Sequence, residues 1–353
     1  MEMMTDQRSL SSSLYAVIMA GGRGERFWPA GRAMRPKQLL PLTGEKTMIE
    51  ETVQRLFPLI PPEHVLVITN RDYVKQIRDL LPIPPENVIG EPERRDTAPC
   101  VALATALVRR KNPEATVIIL PADHVIRPAK VFQETLKQAA EQARNGYLVT
   151  LGIFPSFPAT GYGYMHLGAD NGAGFRQVLE FKEKPDLATA EAFLKDGHYR
   201  WNSGIFIWRT DVISEALRKY VPEIGVRMDA WAAGADFMKD FAECQKISID
   251  YAVMEKADNV IAGNPDFEWN DIGSWSSLRT ILPLDADGNA CKGKVVTWDS
   301  KNNVLFSDDD TLIGVIGMQN TAVVKSGNGV LVCPLSDEQK VKQLLPQIGI
   351  EYK

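Results

Sequence analysis

The chain is poor in cysteine. Its 353 residues hold four, Cys100, Cys244, Cys291 and Cys333, and no two have C-x-x-C spacing. That pattern builds neither a zinc knuckle nor a disulfide framework, so reduced thiols are the expectation. It also has no block of like charge: 40 basic residues face 45 acidic ones, for a formal net charge of -5. This balance gives no electrostatic case for nucleic acid or an anionic membrane surface, although a local cluster can still be basic enough for a small anionic substrate. No stretch approaches eighteen uninterrupted apolar residues, so no membrane-spanning helix is expected. Residues 1–13 are polar, lack the apolar centre of a signal peptide and read as a flexible leader; the expected compartment is the cytoplasm.

What is present is an alternation of strand and helix. Tyr15–Ala20 (YAVIMA) is an apolar run that stops at Gly21-Gly22, as a buried strand feeding a loop does. Val65–Thr69, Val117–Leu120 and Leu148–Ile153 repeat the pattern. Helical stretches lie between them at Met48–Phe57, Thr97–Arg110 and Phe132–Ala143; the second has Asp96 or Thr97 as cap and Pro99 in its first turn. The alternation predicts an α/β fold with a mostly parallel sheet, whose ligands bind beyond the carboxyl ends of the strands, where Gly21 and Asp123 fall. From Gly161 onward, Tyr162–Leu167, Phe175–Phe181 and Ile205–Trp208 read as strands able to pair antiparallel. A Pro/Asp/Gly-rich break at Leu284–Asn289 suggests a domain boundary. Short strands follow at Lys294–Thr297, Val304–Phe306, Thr311–Ile316, Thr321–Lys325 and Val330–Cys333, then a polar helix over Ser336–Leu345.

The chemistry-bearing residues come in four groups. The first is Gly21-Gly22-Arg23-Gly24-Glu25-Arg26, with Arg35-Pro36-Lys37-Gln38 shortly after. It is neither a P-loop nor a G-x-G-x-x-G fingerprint. A glycine turn among arginines and a lysine suits a triphosphate, whose charge must be neutralised before phosphorus is attacked; a solvated basic loop is the alternative. The second is Asp123, in Leu120-Pro121-Ala122-Asp123-His124 at a strand end. It is either an oxygen ligand for Mg²⁺ shared with phosphates or a simple loop cap. The third is Trp269-Asn270-Asp271-Ile272-Gly273-Ser274-Trp275. Asp271 could join Asp123 on one metal ion, or cap a helix starting near Ser274, and spacing alone does not bring the two carboxylates together. The fourth comprises Gly161-Tyr162-Gly163-Tyr164, Glu180-Phe181-Lys182-Glu183-Lys184-Pro185 and Trp201-Asn202-Ser203-Gly204. Glutamate and asparagine suit sugar hydroxyls, and lysine suits a phosphomonoester.

Together, GGRGERFWPAGRAMRPKQ, EPERRDTAP, PADH, GYGY, FKEKP, WNSGIF and WNDIGSW resemble the mannose-1-phosphate guanylyltransferases in order and spacing, from Ala16 to Trp275. The resemblance implies a Rossmann-like nucleotidyltransferase domain over residues 14–285 and a small β-helix-like cap over 286–353. It also implies that the chain is too short to carry the isomerase domain of bifunctional members. The implied reaction joins GTP and mannose 1-phosphate to give GDP-mannose and pyrophosphate, with Mg²⁺; a homodimer is the family's suggestion. By the same resemblance Ala20, Gly21, Gly22 and Gly24 cradle the nucleotide, with Arg26 and Lys37 on the triphosphate. Glu91, Thr97 and Pro99 recognise guanine, and Asp123 and Asp271 hold the metal. Gly163, Glu183 and Asn202 meet the mannose hydroxyls, and Lys184 its phosphate. The chain departs from the family pattern at Gly31, commonly serine, and at Asp96, more often asparagine. Two other readings stay open: transfer with another base or sugar, and a non-catalytic binder of GDP-mannose.

Overall fold

The computed structural model describes residues 13–353. The expected leader therefore lies outside the described residues, apart from Ser13, whose hydroxyl accepts from Arg144 Nη2 at 3.1 Å. The chain folds as two compact units, each drawn from separated segments. One holds residues through Gly21, 55–121 and 126–269; the other holds 22–54, 122–125 and 270–353.

The first unit is built on a nine-stranded sheet. Its strands are β1 (Leu14–Ala20), β2 (Val65–Asn70), β3 (Val88–Glu91), β4 (Thr116–Pro121), β6 (Leu148–Ile153), β7 (Tyr164–Asp170), β8 (Phe175–Lys182), β9 (Tyr199–Arg209) and β10 (Val260–Gly263). Short strands β5 (Val125–Arg127) and β11 (Glu268–Asn270) lie outside this sheet. The order is β3-β2-β1-β4-β9-β6-β10-β8-β7. The ladders β3-β2, β2-β1, β1-β4 and β6-β10 are parallel, and the pairings of β9, β8 and β7 with their other neighbours are antiparallel. The sheet is thus mixed. Strand β1 is buried along nearly its whole length, side chains of both faces included, which is why it reads as unbroken apolar sequence rather than alternation.

Helix Thr97–Lys111 packs its alanine-rich body into this core with Trp208 and Trp231. Its small side chains bring the neighbouring helices Thr210–Tyr220 and Pro222–Ala232 close. The last turn carries Arg109, Arg110 and Lys111, which suit the negative end of the helix dipole. Arg109 also pairs with Asp229 at 2.7 Å.

In the second unit, β12 (Ala290–Lys292), β14 (Val304–Ser307) and β16 (Thr321–Ser326) stack in parallel, and β17 (Gly329–Pro334) returns antiparallel. A second ladder pairs β13 (Val295–Trp298) with β15 (Ile313–Ile316). The coils are held at one corner by a ladder of fully buried asparagines. Asn289 Nδ2 donates to Ser300 O, and its Oδ1 accepts from both the N–H and the side chain of Asn303. Asn303 in turn donates to Met318 O at 2.9 Å and accepts from Thr321 N at 2.9 Å. The apolar face of these coils (Val304, Phe306, Ala322, Val324, Leu331) joins Phe27, Trp28, Leu40 and Trp275 in one core. The glycine-rich loop is therefore anchored inside this unit. The expected helix over Ser336–Leu345 is instead a tight 3₁₀ segment, Leu335–Lys340, followed by one α-turn, Val341–Leu344. The buried Glu338 side chain accepts from Ser276 N and Ser276 Oγ, and Pro346 cannot continue an α-helix.

Asn303→Ala strands buried partners at Asn289, Met318 and Thr321, and unpaired buried groups cost ~1–3 kcal/mol each. The expected loss is about 2–4 kcal/mol in denaturant unfolding, measured against Lys301→Ala on an exposed neighbour.

Candidate active site

The structure gathers the candidate residues into three clusters, one in the second unit and two in the first. In the second unit the organising group is Lys37. Its side chain is buried, and Nζ lies 3.0 Å from Asp123 Oδ2. The same ammonium donates to the backbone carbonyl of Asp271. Lys37 thus joins the two segments that carry the aspartates. Gly24 makes this possible: it sits at φ 64°, and a Cβ there would fall 2.4 Å from Lys37 N. Only glycine permits that approach. Gln38, buried beside Lys37, donates to Gly22 O at 3.2 Å and holds the front of the loop. Arg26 is exposed and reaches Gly273 O at 3.5 Å.

Two other cations of the loop turn elsewhere. Arg35 pairs with Asp308 at 2.5 Å, and Arg32 donates to Ser326 O at 3.0 Å and Pro29 O at 3.0 Å. Ser326 Oγ donates to the same Asp308 carboxylate at 2.8 Å. These arginines fasten the loop to the β-helix rather than face a ligand. The departure at Gly31 has a steric reason here, because a Cβ would meet Gly24 O at 2.7 Å.

Burial alone would raise the Asp123 carboxyl, but the charges of Lys37 and His124 and the hydrogen bond from Lys37 outweigh it and hold it below the ordinary aspartate value. Asp123 is thus an ionised oxygen donor at neutral pH. The Asp271 carboxylate lies over Gly273, where a Cβ would be 3.5 Å from each oxygen. Ile272, between them, is fully buried at φ 42°, a conformation a β-branched residue rarely adopts. Its N–H donates to Asn270 Oδ1 at 2.7 Å. Backbone strain of this kind is retained where the surroundings impose it, commonly at functional sites.

The second cluster lies at the ends of β1 and β3. Ala20 O accepts from Thr69 Oγ1 at 2.9 Å. The Glu91 carboxylate faces Gly21: a Cβ on Gly21 would be 3.6 Å from Oε2. Glu91 and Cys100 are both buried and hydrogen-bonded to each other. Burial pushes the Glu91 carboxyl up to about 7, opposed by the Cys100 hydrogen bond and the charge of Arg94. Pro99 is buried in the first turn of the helix, and Thr97 Oγ1 accepts from Ile249 N at 2.8 Å. Asp96 stands at φ 66° and caps Thr97 N at 2.8 Å.

The third cluster holds the four residues expected at the sugar. Asn202 N donates to Gly163 O at 2.8 Å, and the Glu183 carboxylate lies so close over Gly163 that a Cβ would be 2.5 Å from it. Lys184 pairs with Glu183 and is held at φ 46°, its N–H donating to Tyr162 O at 3.2 Å. Tyr162, Trp201 and Trp269 make an aromatic wall, with ring centroids 5.0 and 5.4 Å apart along Trp201–Tyr162–Trp269. Sequence reasoning missed Asp250, whose Oδ1 accepts from Asn202 Nδ2 at 3.0 Å. The only signal available was an aspartate opening the short helical segment DYAVM.

The mixed sheet, the glycine loop against Lys37 and the paired aspartate segments define a nucleotide-transferring class of enzyme, and the comparisons agree. Residues 15–288 match the family model for nucleotidyl transferases, and residues 293–348 match that for a mannose-phosphate isomerase/GMP-like β-helix domain. The chain belongs to the nucleotidyl transferase family. It is 38% identical over 356 residues to the mannose-1-phosphate guanylyltransferase of Escherichia coli K12, covering 96% of this chain and 74% of that protein. It is 40% identical over 349 residues to the xanthan biosynthesis protein XanB of Xanthomonas campestris (strain B100), covering 96% and 73%. A solved structure from Thermus thermophilus, described as a mannose-1-phosphate geranyltransferase, superposes with a TM-score of 0.89 at 35% identity, covering 95% of this chain and 99% of that one. No helix among the described residues is long and apolar enough to cross a membrane.

The Glu91 carboxyl should titrate near pH 7, followed by carbon-13 NMR of labelled glutamate. Cys100→Ala removes a hydrogen bond that favours the ionised form, so the midpoint should move further up. A downward move would contradict this geometry.

Proposed function

We propose that this enzyme transfers GMP from GTP to α-D-mannose 1-phosphate, giving GDP-mannose and pyrophosphate. The observation that carries the reading is the Lys37 ammonium, held between the Asp123 carboxylate and the Asp271 backbone. A cation fixed against two aspartate segments beside a glycine loop suits a triphosphate better than a neutral ligand.

The nucleophile is the phosphate oxygen of mannose 1-phosphate, already anionic, and it attacks the α-phosphorus of GTP in line with the departing pyrophosphate. No protein nucleophile is needed, so positioning and charge neutralisation are the protein's tasks. Lys37 has three N–H groups, two of them engaged by Asp123 and Asp271, which leaves one to reach a phosphate oxygen. Arg26, exposed on the same loop, adds a second cation. Gly22 and Gly24 keep the loop free of side chains where the polyphosphate passes, and Ala20 and Gly21 would meet the nucleotide. Glu91, once ionised, accepts from guanine N1–H and N2–H, donors that adenine lacks, with Thr97 and Pro99 shaping the same pocket. Gly163, Glu183 and Asn202 meet the mannose hydroxyls, and Lys184 meets its phosphate.

The donors present fit Mg²⁺. Asp123 is ionised, Asp271 offers a second carboxylate in the same unit, and two protein oxygens plus phosphate oxygens are the mixture this ion favours. Asp123 and Asp271 would hold it, and when bound it would neutralise charge on the phosphates. On the same reading, residues 14–285 form the catalytic domain and 286–353 the cap.

Lys37→Ala should lower kcat by ~10²–10³ with GTP affinity changed far less, as loss of a single electrostatic donor does. Near-normal turnover would contradict the assignment. A panel of four nucleoside triphosphates against mannose and glucose 1-phosphates, read by pyrophosphate release, should show GTP with mannose 1-phosphate as the preferred pair. Binding of GDP-mannose without pyrophosphate release from any pair would point to a non-catalytic binder instead.

A further inference from the structure

We propose that Asp250 is a second carboxylate of the sugar subsite, which grips one hydroxyl of the sugar 1-phosphate together with Asn202. This rests on the functional reading above and adds to it a residue that selects the sugar.

The hydrogen bonds of Asn202 fix which end of its amide faces Asp250. Gly204 N–H donates to Asn202 Oδ1 at 3.2 Å, so the side-chain oxygen points that way and the NH₂ group faces Asp250, donating at 3.0 Å. The Asn202 backbone is strapped to Gly163 at 2.8 Å, beneath the Glu183 carboxylate. Asp250 therefore belongs to the same cluster as the four expected sugar residues. An amide donor beside a carboxylate acceptor matches a hydroxyl, which can donate to one and accept from the other at once.

The position of Asp250 is held from the opposite side as well. Ile249 N donates to Thr97 Oγ1 at 2.8 Å, and Ala98 N donates to Ile247 O at 3.1 Å. Residues 247–250 are thus sewn to the start of the helix that carries Thr97 and Pro99. Asp250 opens a π-helical turn, Asp250–Met254, a local widening that recurs at functional sites. Ile249, at the N-cap, supplies no side-chain bond, and the Tyr251 N–H is taken by Ser248 Oγ at 3.3 Å, so the Asp250 carboxylate is not what caps that N–H.

Its placement is costly without a ligand. Burial pushes the Asp250 carboxyl up to about 7, and the neighbouring Glu183 raises it further, against the hydrogen bonds of its own backbone and Ser248 and the charge of Lys184. Two carboxylates share one ammonium here. A hydroxyl-rich ligand would relieve this crowding of negative charge by bringing further O–H donors to the pair.

The test uses the full-length protein and its Asp250→Asn variant, with Asp250→Ser as a second variant should the first fail to fold. Pyrophosphate release is measured with GTP and mannose 1-phosphate, then with the 2-, 3-, 4- and 6-deoxy analogues; GTP affinity is measured by calorimetry. Asp250→Asn should raise KM for mannose 1-phosphate about 10–100-fold, the worth of a hydrogen bond to a charged group, while GTP affinity stays within about twofold. For one deoxy analogue, wild type and variant should converge, because the hydroxyl that Asp250 grips is gone. An unchanged KM overturns the proposal. An equal loss for every analogue and for GTP also overturns it, since that is the mark of a structural role. Wild-type protein that releases no pyrophosphate with mannose 1-phosphate overturns the functional reading, and the subsite falls with it.

Discussion

The second unit turns on one buried ammonium. Lys37 has nowhere to place its charge except against the Asp123 carboxylate and the Asp271 carbonyl, and those contacts fix the approach of the two segments. A lysine is seldom buried without such partners. Its position depends on Gly24, which alone lets the loop backbone close onto Lys37, and on the Phe27 ring, 5.8 Å from Nζ. Phe27 is in turn held by Trp275 and by the apolar face of the parallel coils. The β-helix is thus a scaffold for the glycine loop as well as an appendage, and Asp308 and Ser326 tie down the arginines that would otherwise crowd it.

Three acidic groups show how surroundings sort chemistry. Asp123 is kept ionised by an adjacent cation and so suits a hard metal and phosphates. Glu91, buried, and Asp250, half-buried, both in the first unit, are pushed up to about 7. Each is more basic for its loss of water, and Asp250 also for the neighbouring Glu183 charge. Strained backbone follows the same map. Asp96, Lys184 and Ile272, three of the non-glycine residues with positive φ, fall in the Glu91, Glu183–Asn202 and Lys37 clusters respectively. In each case local hydrogen bonds hold the conformation that propensity disfavours.

Much of this was legible in the sequence, and the reasons are physical. Strands β1, β2, β4 and β6 are buried on both faces, so they stand out as apolar runs; β3 and β10, four residues each, are too short to leave a pattern. The clustering of Gly163, Glu183, Lys184 and Asn202 followed from motif resemblance, because residues from three strands and loops meet only through sheet topology. The roles of Arg32 and Arg35 were not legible. A cation beside a glycine loop looks the same whether it faces phosphate or an aspartate some 270 positions later, as Arg35 does with Asp308. Asp250 was hidden for the same reason, since its partner Asn202 is 48 positions away.

The most direct test of the central claim is a titration of Mn²⁺ in the presence of GTP, read by electron paramagnetic resonance. Mn²⁺ should bind the wild-type protein with an affinity that falls sharply in both Asp123→Asn and Asp271→Asn, while Asp310→Asn, on an exposed carboxylate paired with Lys294, retains it. Unchanged Mn²⁺ binding in Asp271→Asn would contradict the claim that these two aspartates and Lys37 serve one polyphosphate.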